Sequence, residues 1–204
     1  MIALSRPRAD WLPRATIAGY IASIAMAILF VAAYGFAHVV GAVPLVSSLK
    51  WTAEITSWLY ALTHNAVLDF AASSMFAAAA VHLVVGVLWA LVYAYAFEPR
   101  LTGNAWARGA IFSLLPWILS LVVFLPLFGG GWFGMAIGAG PLPALGNLVL
   151  HLGYGLILGG MYGPLGDLST EELSAAGAQD DRELAQRYEQ AEARGLALGA
   201  GLGS

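Results

Sequence analysis

Cysteine is absent from the 204 residues, and lysine occurs once, at Lys50. The first absence excludes disulfides, zinc–thiolate sites, iron–sulfur clusters and thiol catalysis. Charge is scarce as well: 10% of residues are Asp, Glu, Lys or Arg, against about 25% in an ordinary soluble domain. In its place stand 60% hydrophobic residues and a mean hydropathy of +0.77. A soluble domain of this length leaves too much of its surface in water to hide that apolar content. The composition therefore excludes a soluble globular protein, a disordered chain and a nucleic-acid binder, and indicates a membrane protein.

The charges that do occur mark the ends of long apolar runs. Residues 15–40, 70–97 and 109–166 contain no Asp, Glu, Lys or Arg. The third run is too long for one helix, and the segment GGGWFGMAIGAGPLP at 129–143 divides it. At 1.5 Å per residue, helices over about 15–40, 71–97, 109–128 and 145–163 are each long enough for the hydrocarbon core. The fold class expected is all-α: a polytopic membrane protein with four transmembrane helices. The first is read as an uncleaved helix, because its apolar run exceeds a signal-peptide core. Pro116 and Pro126 should kink the third.

Four crossings put the N-terminal segment (1–14), the middle loop and the tail (167–204) on one side. That side holds all eight arginines, Arg6, Arg8, Arg14, Arg100, Arg108, Arg182, Arg187 and Arg194, and the other side holds Lys50. The positive-inside bias places both termini in the cytoplasm. With a bias to alanine, glycine and arginine, the expected location is a prokaryotic plasma (inner) membrane.

In the first outer loop Trp51, Ile55, Trp58, Leu59 and Leu62 recur at helical spacing, which predicts an interfacial amphipathic helix over about 50–66. Such a helix either caps the bundle or presents Trp51 and Trp58 to a partner. The tail carries eight acids and three arginines. Ser169 with Glu172 forms a capping box, and DRELAQRYEQAEAR reads as a helix with a thin apolar stripe through Leu184 and Tyr188. The acidic tail either suits a basic surface on a partner protein, which Leu184 and Tyr188 would contact, or stays solvated.

The second and fourth helices share H-L-x-x-G-x6-Y: His82, Leu83, Gly86 and Tyr93 against His151, Leu152, Gly155 and Tyr162, at an offset of 69. Arg14-x-x-Ile17 echoes Arg108-x-x-Ile111, and Phe30 then aligns with Phe124. Two duplicated hairpins in the same orientation would account for this, related by a pseudo-two-fold axis along the membrane normal. The two histidines would then lie at similar depth.

An intramembrane titratable residue is a functional candidate, and three roles are open to His82 and His151. They could ligate haem b or another tetrapyrrole, with Gly86 and Gly155 leaving room for a flat macrocycle. They could relay protons in a small transporter or channel. They could hydrogen-bond across helices to Ser73, Ser113, a tyrosine or a backbone carbonyl. The last is favoured, so no cofactor is expected; no catalytic set and no metal cluster is legible, and His38 and His64 read as surface residues. Gly155, Gly159 and Gly163 at intervals of four form a small-residue face, with Gly86 its counterpart, for packing within the bundle or against another subunit.

The stretch HLGYGLILGGMYG (151–163) resembles the last helix of small, uncharacterised bacterial four-helix inner-membrane proteins, with His, then glycines every four residues, then Tyr-Gly. The resemblance implies that architecture and carries over no active site. The function expected is a non-catalytic accessory subunit, bound to other membrane subunits and lipid, of a larger respiratory or photosynthetic complex.

Overall fold

The computed structural model describes residues 11–42 and 50–163, together with Gln186 and Gln190. The described residues are helical, with no strand among them. Four helices are long and apolar enough to cross a membrane: α1 (Trp11–Ala42), α4 (Met75–Phe97), α5 (Ala105–Leu127) and α6 (Leu142–Gly163). Between α1 and α4 lie two shorter helices, α2 (Lys50–Thr63) and α3 (Ala66–Ser73). The end where α1 starts and α6 finishes is termed proximal here; the end with α2 and the glycine-rich loop is distal.

Local chemistry sets the boundaries. Asn65 separates α2 from α3: its Nδ2 donates to the carbonyls of Ala61 and Leu62, and its Oδ1 accepts from Leu68 N at 3.2 Å. The expected single helix over 50–66 is therefore closed at Thr63, and a new one starts at Ala66. At Ser74 the backbone leaves the helical region (φ −134°, ψ 41°), so α4 begins at Met75 rather than at 71. Asn104 caps α5, accepting from Ala107 N at 2.8 Å, four residues before the end of the charged segment. α1, with 32 residues, is about 48 Å long and outreaches an apolar core of about 30 Å. Its surplus length supports α2.

Two helices contain a π turn: Tyr93–Phe97 in α4, where Glu98 N donates to Tyr93 O at 2.8 Å, and Ser120–Phe124 in α5. Pro116 stays inside α5, and the π turn follows it. The loop after α5 reverses direction through positive-φ glycines at 129, 131, 134, 138 and 140 around a 3₁₀ segment, Trp132–Ile137. Gly140 (φ +54°) lies under the Trp58 ring, where an added Cβ would stand 2.5 Å from Cε2. Trp58 is thus packed against this loop, and α2 caps the distal end.

The core occupies the proximal half. Phe112 of α5 is wedged among Trp89, Tyr93 and Phe97 of α4, with ring centroids 6.1, 5.1 and 5.0 Å away. Ala15, Ala18 and Ala22 of α1 and Tyr154, Leu158 and Tyr162 of α6 complete it. Residues 164–204 form a separate unit; Leu184 and Tyr188, and the side chain of Trp51, lie outside the described residues.

Candidate functional site

The small residues come together first, because they decide how closely the helices approach. α5 and α6 meet through glycine. A Cβ on Gly109 would collide with the Gly155 carbonyl oxygen and stand 2.8 Å from Gly159 N; one on Gly155 would stand 2.6 Å from Ser113 Cβ; one on Gly163 would stand 2.7 Å from Ala105 Cβ. The face Gly155, Gly159 and Gly163 is therefore filled from within the chain, by α5. Gly86 is filled likewise, by Ser23 of α1, and Gly19 abuts Ala90.

The two seams match position by position. Ser23 faces Gly86 as Ser113 faces Gly155, and Gly19 faces Ala90 as Gly109 faces Gly159. Ala15 and Ala94, both buried, stand where Ala105 meets Gly163. The facing words are Ala15-x3-Gly19-x-Ile21-x-Ser23 and Ala105-x3-Gly109-x-Ile111-x-Ser113, an offset of 90. Pairing Arg14 with Arg108, at an offset of 94, is one helical turn out of register with this packing. The offset of 69 between α4 and α6 agrees with it. Tyr93 and Tyr162, equivalent at that offset, meet edge to face with centroids 5.9 Å apart.

His82 and His151 sit one turn distal to Gly86 and Gly155, both half-buried. His82 Nε2 bonds the Ser23 carbonyl across the α1–α4 seam at 3.0 Å. His151 Nδ1 turns back to the Asn147 carbonyl of its own helix at 2.9 Å. Tyr154, one turn on from His151 in α6, donates to the Gly86 carbonyl at 2.6 Å. Further distally Asn147 Nδ2 donates to Ser120 Oγ at 2.8 Å, and Trp117 Nε1 to the Ala144 carbonyl at 3.1 Å. Of the hydrogen-bonding partners expected for the histidines, a backbone carbonyl is the one each uses. The space at both glycine steps holds protein atoms: Ser23 and the Tyr154 ring at Gly86, Ser113 at Gly155.

At the proximal end Glu98 and Arg108 form a half-buried ion pair at 2.6 Å, closing the α4–α5 turn. Arg108 Nε is buried without a hydrogen-bond partner. The sequence reading missed a distal feature. Phe30, Tyr34 and His38 of α1 continue into His64 and Tyr60 as a column of rings, with successive centroids 6.3, 6.2, 5.7 and 4.2 Å apart. The i, i+4 spacing of Phe30, Tyr34 and His38 was a usable signal; the pairing with α2 was not, since 26 residues separate the two histidines. Among the described residues no group of three or more His, Cys, Asp or Glu gathers at one point. No family model, curated protein or solved structure matches the chain.

Proposed function

We propose that this chain is a non-catalytic accessory subunit of a larger membrane complex in a prokaryotic plasma membrane, crossing the bilayer four times with both termini in the cytoplasm. The observation that carries the reading is the distal half of α4. Of the 18 residues in its most apolar window 6% are buried, against 22–28% in the other three helices. Residues 72–81, among them Ser73, Ser74 and the run Ala77 to Ala80, are all exposed. Small side chains give lipid tails little to pack against, but they let a second helix approach closely.

We further infer that the chain is a duplicated pair of hairpins, which sharpens this argument. At the offset of 69, residues 75–80 correspond to 144–149 of α6. There α5 supplies the covering contacts, through Trp117 and Ser120. Among the described residues the matching flank of α4 has no such cover, because the distal half of α1 leans on α2 instead, with Gly41 against Leu59 and Tyr34 bonded to Thr63. A helix from another subunit fits the uncovered flank as α5 fits α6.

A second reading, haem b ligation by His82 and His151, has one observation in its favour. The His151 Nδ1 bond to a carbonyl is the brace found on axial ligands, and it leaves Nε2 free. Against it, His82 commits Nε2 to Ser23, and side chains fill both glycine steps.

Gentle solubilisation from native membranes, with absorbance and mass recorded on one size-exclusion peak, tests both readings. The expected result is a colourless peak well above one chain that carries a fixed set of other membrane subunits, whose identities show whether the complex is respiratory or photosynthetic. Leucine at both Ala77 and Ala80 should release the chain with its helix content intact. A colourless peak at one chain, or at a small homo-oligomer, overturns the accessory role. A Soret band that shifts on reduction replaces it with the haem reading.

A further inference from the structure

We propose that His38 and His64 form a site for one divalent transition-metal ion, fastening α2 to the distal end of α1. One ring comes from α1 and the other from the bend that directly follows α2, and both are exposed. Their centroids lie 5.7 Å apart with the planes inclined by 29°. Two imidazoles that share an ion at metal–nitrogen distances of about 2.0–2.1 Å hold their centroids about 5–6 Å apart, from the tetrahedral towards the linear arrangement. The observed separation falls within that range before any ion is considered.

On the His64 side one nitrogen is braced. His64 Nδ1 lies 3.0 Å from the Tyr60 carbonyl and 3.0 Å from Thr63 Oγ. Donation to that carbonyl fixes the tautomer with the proton on Nδ1 and the lone pair on Nε2, the brace that metal-bound histidines carry. His38 makes no hydrogen bond among the described residues, so its ring turns without breaking one. Tyr34 and Tyr60 flank the pair, at 6.2 Å from His38 and 4.2 Å from His64. Tyr34 also donates to the Thr63 carbonyl at 3.2 Å, which holds α1 and α2 at this level without an ion.

The donor set selects the ligand. Two imidazoles, with no carboxylate contacting either ring among the described residues, suit Cu²⁺, Ni²⁺ or Zn²⁺ and disfavour Mg²⁺ and Ca²⁺. Cu²⁺ should bind most tightly. With two protein ligands, water completes the coordination and the site stays open to the surrounding solution.

The test uses the full chain in nanodiscs, stripped with a chelator and titrated with Cu²⁺, followed by electron paramagnetic resonance and amide exchange. The expected result is one ion per chain, with the hyperfine signature of two imidazole nitrogens and slowed exchange across α2. His38→Phe and His64→Phe each keep a flat ring in the column and should weaken binding about tenfold or more. Their helix content serves as the folding control. If the double variant binds as tightly as the parent, the ion sits elsewhere or is an adventitious ion only, and the proposal fails. It fails equally if a single imidazole is detected, or if exchange across α2 is indifferent to Cu²⁺.

Discussion

Gly19 and Gly109 hold equivalent places in the two seams, but they face different kinds of atom, and their replacement by alanine separates on that ground. A methyl group at Gly19 meets the Ala90 Cβ, a side-chain atom that can be removed. At Gly109 it meets the Gly155 carbonyl oxygen and stands 2.8 Å from Gly159 N and 2.9 Å from its Cα, and no substitution takes backbone away. Carbon atoms prefer separations of about 3.5–4.0 Å, so either helix pair must part by about 1 Å. Overpacking of this kind costs about 1–3 kcal/mol, and Gly109→Ala belongs at the upper end. Ala90→Gly reopens the first seam, so Gly19→Ala with Ala90→Gly should recover most of the loss, a coupling of about 1–2 kcal/mol. Gly35→Ala, with nothing within 4 Å of the new methyl, supplies the baseline for helix propensity. Unfolding by SDS in mixed micelles, followed by far-ultraviolet circular dichroism, gives the free energies. The expected order of stability is Gly35→Ala, then Gly19→Ala, then Gly109→Ala, with rescue of the second by Ala90→Gly. The packing argument is refuted if Gly109→Ala is as stable as Gly35→Ala, or if Ala90→Gly gives Gly19→Ala no benefit.

The same assay applied to Tyr154→Phe, which loses the bond to the Gly86 carbonyl, should show a cost of about 0.5–1.5 kcal/mol; no change would mean that the hydroxyl finds an equal partner elsewhere. Glu98→Gln should cost about 1–2 kcal/mol, between exposed and fully buried pairs, because Arg108 already has one unpartnered nitrogen. Since the chain has no cysteine, single cysteines report sidedness directly: an impermeant maleimide added to spheroplasts should label Ser57→Cys and spare Thr102→Cys. The reverse pattern would overturn the orientation read from the arginines.

Much of the scaffold was legible because it rests on runs of apolar residues that nothing else in the chain resembles. The four long helices lie where the charge-free runs put them, with ends moved by Ser74 and Asn104, whose backbone or side chain acts over only three or four residues. The glycine face of α6 was legible as a close-packing surface; which helix filled it was not, because α5 presents only Ala105, Gly109 and Ser113 among larger residues. The arginines drew the repeat one turn out of register: charge is conspicuous in a sequence, whereas alanine and glycine decide how near two helices come. The distal ring column was hidden for a different reason. It joins residues across a chain reversal, and its geometry depends on how far α1 outruns the apolar core.

The π turns in α4 and α5 have a consequence for the lengths of gene that can encode this protein. Each is a helix carrying one residue beyond the α-helical phase, and one residue turns everything after it by about 100°. In α4 the surplus falls between Tyr93, which faces the core, and Glu98, which reaches Arg108. Deleting the codon for Ala94 or Ala96 would leave an unbroken and more regular helix, with every remaining side chain chemically unchanged. It would also swing the carboxylate away from its arginine and alter the entry into α5. At these two places the reading frame of the helix, rather than the identity of any residue, is what natural variation must preserve.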